Sequence, residues 1–363
     1  MTSVLITLAW ITAGVALGWA AWIAWVNVHY RVQAQPPQRL EVRCADGWRL
    51  ALHYRPAVHK RFEEPVLLCH GLAANRYTFD FEPPYSVAHA LSEAGFDCFT
   101  LELRGTGYSA WPPLGRPWWL YSVDDHIRQD APAAVRRVLE VTGARGLYWV
   151  GHSLGGLIGY GAAEGPVGEK LAGLITLGSP VFFPFDRVVR AAVKLGAVAA
   201  WPFGLRQRLM SLTLAPFLGR LTLPLSDLIV NPQHIAPKVQ RKVYARMIST
   251  LGSRVLTQFR DWIENDAFRS LDRRQDYRAG IARLQVPLLV VGGTMDRMAT
   301  TASVQKQFEL AGSADKTLLL FGRERGDKQD YGHGDLLFGT DVSEEIHPAL
   351  VRWLQTRATP REG

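Results

Sequence analysis

Leu147-Tyr148-Trp149-Val150-Gly151-His152-Ser153-Leu154-Gly155-Gly156-Leu157-Ile158-Gly159-Tyr160 is the stretch from which the rest of the chain is read. Its first four residues are apolar or aromatic, as in a short buried strand, and Leu157 to Ala163 is a small-residue run compatible with a helix. Between them, Gly-His-Ser-Leu-Gly makes a sharp turn with a serine at its tip. A nucleophile elbow strains the backbone at the serine, so the residues two positions away must lack clashing side chains. Gly151 and Gly155 meet that demand, and Gly156 lets the helix approach the sheet. The turn lifts the Ser153 hydroxyl above the sheet edge at a helix N-terminus, where the dipole favours a developing oxyanion. Gly-rich turns in other α/β proteins produce the same five-residue pattern, so the partners of Ser153 decide the reading.

Upstream, Leu40 to Cys44 and Trp48 to Tyr54 alternate like strands, with Asp46-Gly47 as a hairpin turn. Pro65 to Cys69 reads as a buried strand ending in His70-Gly71-Leu72-Ala73-Ala74-Asn75. Such a loop can aim a backbone N–H at the serine. Leu72 then supplies one oxyanion donor and Leu154 the other, while His70 braces the loop rather than acting as a base. A helix over Tyr85 to Glu93 leads to Gly95 and a strand over Phe96 to Leu101. The loop Leu103 to Ser109 follows, with Gly105 and Gly107 but no G-K-[ST], which argues against a nucleotide site. Trp111, Trp118 and Trp119 stand among prolines in an aromatic loop, and an amphipathic helix over Asp125 to Val141, ended by Gly143, feeds the elbow strand.

Three runs together resemble the α/β-hydrolase superfamily, in particular its lipase and esterase branch. They are Leu68-Cys69-His70-Gly71-Leu72, Leu101-Glu102-Leu103-Arg104-Gly105-Thr106-Gly107 and Gly151-His152-Ser153-Leu154-Gly155-Gly156. Their order and spacing fit from about residue 40 to 180 and again from 285 to 355. The resemblance implies an α/β-hydrolase fold: a mostly parallel eight-stranded sheet with helices on both faces, an acid after a late strand and a histidine near the C-terminus. A serine at the elbow argues against the dehalogenase and epoxide-hydrolase branches, whose nucleophile is an aspartate.

The late residues fit. Leu171 to Ser179 reads as a strand, and Val286 to Gly293 as another, with Asp296 just past its C-terminal end, where catalytic groups collect in α/β folds. Thr317 to Phe321 is the last strand, followed by a charged loop, His333 between Gly332 and Gly334, and a helix over Ile346 to Thr356. In the chain order Ser, Asp, His, His333 takes the Ser153 proton and Asp296 fixes its tautomer. Asp266 is an alternative acid, whereas Asp330 and Asp335 are too close in sequence to His333 to reach the imidazole from the proper side.

Between the strands, residues 181–278 lack strand rhythm. Helix-like stretches cover Asp186 to Ala200, Arg206 to Leu218, Pro237 to Thr250 and Val255 to Asn265. An insertion at this point resembles a helical cap over the active site, and an apolar inner face would suit an acyl chain.

At 363 residues, the chain is long enough for one large α/β domain plus an extra segment. Apolar residues make up 48% and charged residues 20%, and part of the apolar excess sits at the N-terminus. From Val4 to Val28 no residue is charged, and Trp19, Trp22, Trp25 and Tyr30 crowd the second half. Twenty-five residues at about 1.5 Å each suffice for a tilted crossing of a ~30 Å hydrocarbon core, with the aromatic residues as an interfacial belt. A cleaved signal peptide would want a basic residue before a shorter run, although Val32-Gln33-Ala34 could pass as its cleavage site. The expectation is therefore an uncleaved single-span anchor over residues 1–30 and a linker over 31–39 containing Pro36-Pro37. The hydrolase core then covers 40–180 and 279–358, with the cap over 181–278. Arg31, Arg39 and Arg43 after the span lean the main domain towards the cytoplasmic side.

Cys44, Cys69 and Cys98 have no metal or disulfide spacing, and Cys69 and Cys98 read as small buried hydrophobes. The net charge of +8 is spread without a long block, which suits lipid headgroups and offers no nucleic-acid motif. Ten histidines show no H-E-x-x-H or Cys/His cluster, so neither metal nor organic cofactor is expected. The reading is a membrane-anchored serine hydrolase of lipid or other apolar acyl esters that works through an acyl-enzyme. An acyltransferase on the same scaffold is the alternative. A non-catalytic scaffold protein would carry a broken triad or oxyanion loop, and neither is seen in the sequence.

Overall fold

The structure, a computed structural model, describes residues 2–34, 37–109, 111–185, 187–199, 207–218, 231 and 233–361. Pro36 of the expected linker lies outside these, as do Asp186, Ala200 and Arg206 at the ends of two expected cap helices.

The strands are β1 (Gln38–Arg43), β2 (Arg49–Arg55), β3 (Val66–Cys69), β4 (Cys98–Glu102), β5 (Leu147–His152), β6 (Leu171–Leu177), β7 (Leu288–Gly293) and β8 (Lys316–Phe321). They form one sheet in the order β1-β2-β4-β3-β5-β6-β7-β8. β1 and β2 pair antiparallel about the Asp46-Gly47 turn, β2 is antiparallel to β4, and every later pair is parallel. This is the α/β-hydrolase sheet that the motifs implied. β1 forms one edge, and its Arg39, Glu41 and Arg43 are exposed, with Arg43 Nε 2.8 Å from Glu41 Oε1.

The helices before the cap are α1 (Thr2–His29), α2 (Val87–Glu93), α3 (Val123–Asp125), α4 (Ala131–Thr142) and α5 (Leu154–Ala163). Between β6 and β7 come α6 (Arg187–Ala199), α7 (Gln207–Leu214), α8 (Pro237–Arg246), α9 (Ser253–Asn265) and α10 (Tyr277–Ile281). The chain ends with α11 (Thr301–Leu310), α12 (Asp335–Phe338) and α13 (Ile346–Gln355).

Strand periodicity sorts the core into two layers. On β3, Leu67 and Cys69 join Trp149, Ile158 and Leu174 on the face covered by α4 and α5, whereas Val66 and Leu68 join Val150, Ile175 and Leu350 on the face of α2 and α13. Covered on both sides, the central strands β3, β5 and β6 are mostly apolar, as a parallel sheet requires, with Thr176 and His152 the polar exceptions near the ends of β6 and β5.

Element boundaries differ from the sequence reading where a cap or a turn intervenes. The helix expected from Tyr85 starts at Val87, because the Ser86 side chain accepts from the His89 N–H. The helix expected from Asp125 begins at Val123, where Ser122 and Asp125 form a capping box, and passes through a wider π-helical turn over His126–Asp130. β6 stops at Leu177 rather than Ser179, since Gly178 turns the chain at φ +54°. α8 ends at Arg246 rather than Thr250. Beyond it the chain runs to the sheet edge, where the Ser249 N–H donates to the Ala73 carbonyl at 2.7 Å.

α1 is long and apolar enough to cross a membrane. Its residues from Ser3 to Ala21 are exposed, while Val26 and Tyr30 are buried against Leu212, Ala215 and Ala245 of the segment between β6 and β7. All three cysteines are free and buried.

Candidate active site

Ser153 sits between β5 and α5 with φ +53° and ψ −120°, a conformation that L-residues rarely adopt and that persists only when its surroundings enforce it. The surroundings are glycines. A Cβ on Gly155 would lie 2.0 Å from the Cys69 carbonyl oxygen, and one on Gly151 would lie 2.3 Å from the Gly156 nitrogen. Gly156 packs so closely that a Cβ there would meet Ser179 Oγ at 2.2 Å. The Ser153 N–H donates to the Leu177 carbonyl at 2.9 Å, which fastens the turn to the end of β6.

The parallel register aligns the ends of neighbouring strands: His152 pairs with Leu177, and Leu177 with Val291. Groups that follow β5, β6 and β7 therefore meet at one edge. Asp296, three residues past β7, is buried, and its Oδ1 accepts from the N–H groups of Met298 at 2.8 Å and Ala299 at 2.7 Å. Its Oδ2 lies 2.9 Å from His333 Nδ1. Burial alone would push this carboxyl up, but His333 and the two amides outweigh it and hold Asp296 below the usual carboxylate range. The carboxylate accepts, so the proton sits on Nδ1 of His333, and Nε2 of a neutral ring is left with a lone pair.

Gly178 is the floor of this pair. A Cβ at its position would lie 3.1 Å from Asp296 Oδ2 and 3.2 Å from His333 Nδ1. It directly follows Leu177, which holds the Ser153 amide. His152 adds a second tie from the elbow, its Nε2 3.0 Å from the His333 carbonyl oxygen. That oxygen only accepts, so Nε2 carries the hydrogen. Burial first, and then the neighbouring His333, push His152 down to about 3, and the ring is neutral. Thus Asp296 and His333 meet at Gly178, a glycine that sequence reasoning passed over, and the residue before it, Leu177, holds the Ser153 amide.

The loop after β3 crosses the serine so closely that a Cβ on Gly71 would lie 3.1 Å from Ser153 Cβ. His70 is the brace expected of it. Its Nδ1 lies 2.8 Å from the Gly71 carbonyl, and its Nε2 accepts from the Leu103 N–H at 3.2 Å. Burial pushes it down to about 4, so it stays neutral. Leu154 opens α5, and its N–H has no carbonyl in a preceding helical turn to bond. Leu72 and Leu154 border one narrow cleft, together with Leu103, Tyr121, Leu251 and Val255. Leu251 comes from the segment between α8 and α9, and the Thr250 hydroxyl beside it donates to the Gly105 carbonyl.

The alternative acids are engaged elsewhere. Asp266 accepts from the Phe183 N–H at 2.8 Å, Asp330 from the Arg323 N–H at 2.9 Å, and Asp335 from the Asn231 and Gly332 N–H groups at 3.0 and 2.8 Å. The glycines of the Leu103–Ser109 loop answer to packing. A Cβ on Gly105 would meet the Tyr121 hydroxyl at 2.1 Å, and one on Gly107 would meet Glu102 Oε1 at the same distance. In the cleft lining, Arg104 is buried with Asp130, Nη2 to Oδ1 at 2.7 Å, and Asp130 Oδ2 lies 2.8 Å from Nδ1 of His126, another lining residue. Sequence reasoning did not single out this cluster. Among the described residues, no group of three or more His, Cys, Asp or Glu could hold a metal ion.

Comparison with known proteins agrees with this architecture. A family model described as alpha/beta hydrolase fold matches residues 64–339. Over 150 residues the chain is 32% identical to the tear acid lipase-like protein of Mesocricetus auratus, a match covering 39% of this chain and 37% of that protein. Human lipase member K is 30% identical over 135 residues, or 34% of each chain. The chain thus spans little more than a third of the length of these curated relatives. Among solved structures, a soluble variant of monoglyceride lipase from Saccharomyces cerevisiae, in complex with a substrate analogue, superposes with a TM-score of 0.61 at 18% identity, over 92% of this chain and 98% of that one.

Proposed function

The chain belongs to the α/β-hydrolase family, whose model matches residues 64–339, and we propose that it is a membrane-anchored serine hydrolase of carboxylic esters, of the lipase and esterase branch. The observation that carries the reading is the 2.9 Å contact between His333 Nδ1 and Asp296 Oδ2, seated on Gly178 beside the strained serine.

A serine hydroxyl is a weak nucleophile at neutral pH and needs a base. His333 Nε2 takes the Ser153 proton as Oγ attacks the ester carbonyl, and Asp296 stabilises the imidazolium that forms. The N–H groups of Leu72 and Leu154 receive the oxyanion, and the dipole of α5 adds to them. His333 then returns the proton to the departing alcohol, which leaves an acyl group on Ser153. Water, deprotonated by His333, attacks that acyl group, and the carboxylic acid leaves as serine recovers its proton. The cleft is lined by His70, Arg104, Thr106, His126 and Thr250 as well as by Leu72, Leu103, Leu154, Leu251 and Val255, and its apolar part supports an acyl chain as the bound group.

In this reading residues 181–278 are the cap, residues 40–180 and 279–358 the core, and α1 a membrane anchor. Arg31, Arg39 and Arg43 favour a cytoplasmic catalytic domain. Hydrolysis of p-nitrophenyl esters of graded chain length by detergent-solubilised protein tests the activity. It should disappear in Ser153→Ala, together with labelling by a fluorophosphonate probe. Activity that persists in Ser153→Ala overturns the assignment of the nucleophile.

A further inference from the structure

The second half of α1 does not stand free of the domain. Trp22, Ile23, Val26 and Tyr30 pack with Leu212, Ala215, Tyr244 and Ala245. The indole N–H of Trp19 donates to Thr213 Oγ1 at 3.0 Å, and that of Trp22 to the Thr213 carbonyl at 3.2 Å. The rings of Trp22 and Phe217 stack at 5.9 Å. Arg246, at the end of α8, clasps the foot of the helix through the Asn27 side chain and the carbonyls of Asn27 and Tyr30.

This docking fixes where a bilayer can lie. Only Ser3 to Ala21 is exposed along its whole length, and nineteen residues at 1.5 Å rise reach about 28 Å. A hydrocarbon core is about 30 Å thick. The crossing therefore uses the whole exposed stretch, including its first contact with α7 at Trp19, and the membrane boundary falls at Trp19 and Trp22, which bond and stack with Thr213 and Phe217. At that level the outer side of the cap is apolar. Met210 (62% exposed), Leu214 and Phe217 are exposed at the spacing of one helical face, and Leu209 beside them is exposed as well. Arg31 and Arg208, both exposed, lie close enough to act on Arg246 and bring positive charge to the same end.

We propose that α7 and α1 form one lipid-facing surface, with the exposed apolar face of α7 sunk into the leaflet that α1 enters. The proposal rests on the membrane-anchor reading and adds a partner to it: the acyl and headgroup boundary of a bilayer. Charge and apolar area act together here, as in interfacial helices. The surface also adjoins the cleft. Gln207 of α7 donates to the Ser249 carbonyl at 3.1 Å, and Ser249 precedes the Thr250-Leu251 pair that walls the cleft. Ester substrate dissolved in the leaflet would thus enter beside Ser249 towards the cleft that Leu154, the neighbour of Ser153, borders.

The test uses the full chain in lipid vesicles, with an environment-sensitive fluorophore on Met210→Cys, Leu214→Cys or, as a control, the exposed Glu169→Cys. The native thiols are buried and leave the label to the introduced site. Emission at 210 and 214 should shift to the blue and be quenched several-fold more strongly than at 169 by lipids spin-labelled near the headgroup. Flotation with the vesicles after alkaline carbonate washing reports the anchor separately. A chain that floats with 210 and 214 quenched no more than 169 overturns the surface alone. A chain that does not float overturns the anchor and the surface with it. Disulfide-linked dimers through Met210→Cys, without lipid quenching, would assign the face to a second copy and also overturn the proposal.

Discussion

His152 Nε2 donates to the backbone carbonyl of His333 at 3.0 Å, so the residue before the strained serine holds the loop that carries the proposed base. The serine is thereby tied to the histidine backbone through its own neighbour. Replacing His152 with Phe removes the donor, and His152→Gln retains one. A lost hydrogen bond of about 0.5–1.5 kcal/mol corresponds to an expected fall in kcat of about two- to tenfold, with KM nearly unchanged and Gln recovering part of the loss. Steady-state kinetics on one p-nitrophenyl ester checks it. An equal loss in both variants would count against a positioning role.

Asp130 makes a stability prediction. It is fully buried, bonded to Arg104 and His126, and despite burial, which raises it, these partners hold it down at about 2. Its folded value lies below the 3.8 of a free aspartate, so its contribution is fully present above about pH 4 and lost as pH falls through about 2. His152 acts in the same direction. Its value of about 3 in the folded chain means that unfolding takes up a proton below about pH 6.5, and stability declines as the solution is acidified through that range. Asp130→Asn removes the fully buried carboxylate at Arg104 Nη2 and leaves Asp46, 2.8 Å from Nη1, as its near anionic partner, so the loss near neutrality should fall at or below the about 3–5 kcal/mol of a fully broken buried pair. Chemical denaturation at pH 7 measures that loss. Repeating it down the acid limb should show a flatter profile for the variant.

Gly155→Ala should abolish a folded elbow, because its Cβ would lie 2.0 Å from a backbone oxygen of β3 that cannot swing aside. Overpacking typically costs about 1–3 kcal/mol and more where backbone must move. Gly165→Ala is the control. Its nearest neighbour is 3.7 Å away and its φ is not in the left-handed region, so melting temperature should hardly change. Equal behaviour of the two variants would contradict the close approach of α5 and β3.

Leu251→Ala should enlarge the cleft between Leu72 and Val255 and move the preferred acyl chain to a bulkier one. The ratio of kcat/KM for long and short esters is expected to rise by about tenfold, the lower end of what a single methylene is worth in an apolar pocket. An unchanged ratio would place the acyl chain elsewhere.

Much of this was legible because the informative residues are close in sequence. Gly151 to Gly156 states the elbow within six positions, and the apolar strands before it state the sheet. Asp296 and His333 could be named from their places after late strands, and their contact is a prediction that the geometry supports. Gly178 was not legible: a single glycine after a strand is common, and its meaning depends on two side chains from far along the chain. Nor was the bond from Thr250 to the Gly105 carbonyl, which joins residues 145 apart. The docking of α1 was hidden for a similar reason, since Trp19 and Thr213 carry no local signal of their partnership.

One further consequence belongs to β1, at the edge of the sheet. Unpaired strand edges invite a foreign strand to add itself, and copies gathered in one plane meet edge to edge far more often than copies dispersed in solution. Arg39, Glu41 and Arg43 stand exposed along this edge, and Arg49 on β2 lies 3.8 Å from Glu41. An incoming identical strand would set its own charged row against this one and strip water from both. The edge therefore acts as a guard against runaway sheet extension, and replacing its charges with Val or Ile should turn a dispersed, detergent-solubilised preparation into one that forms fibrils.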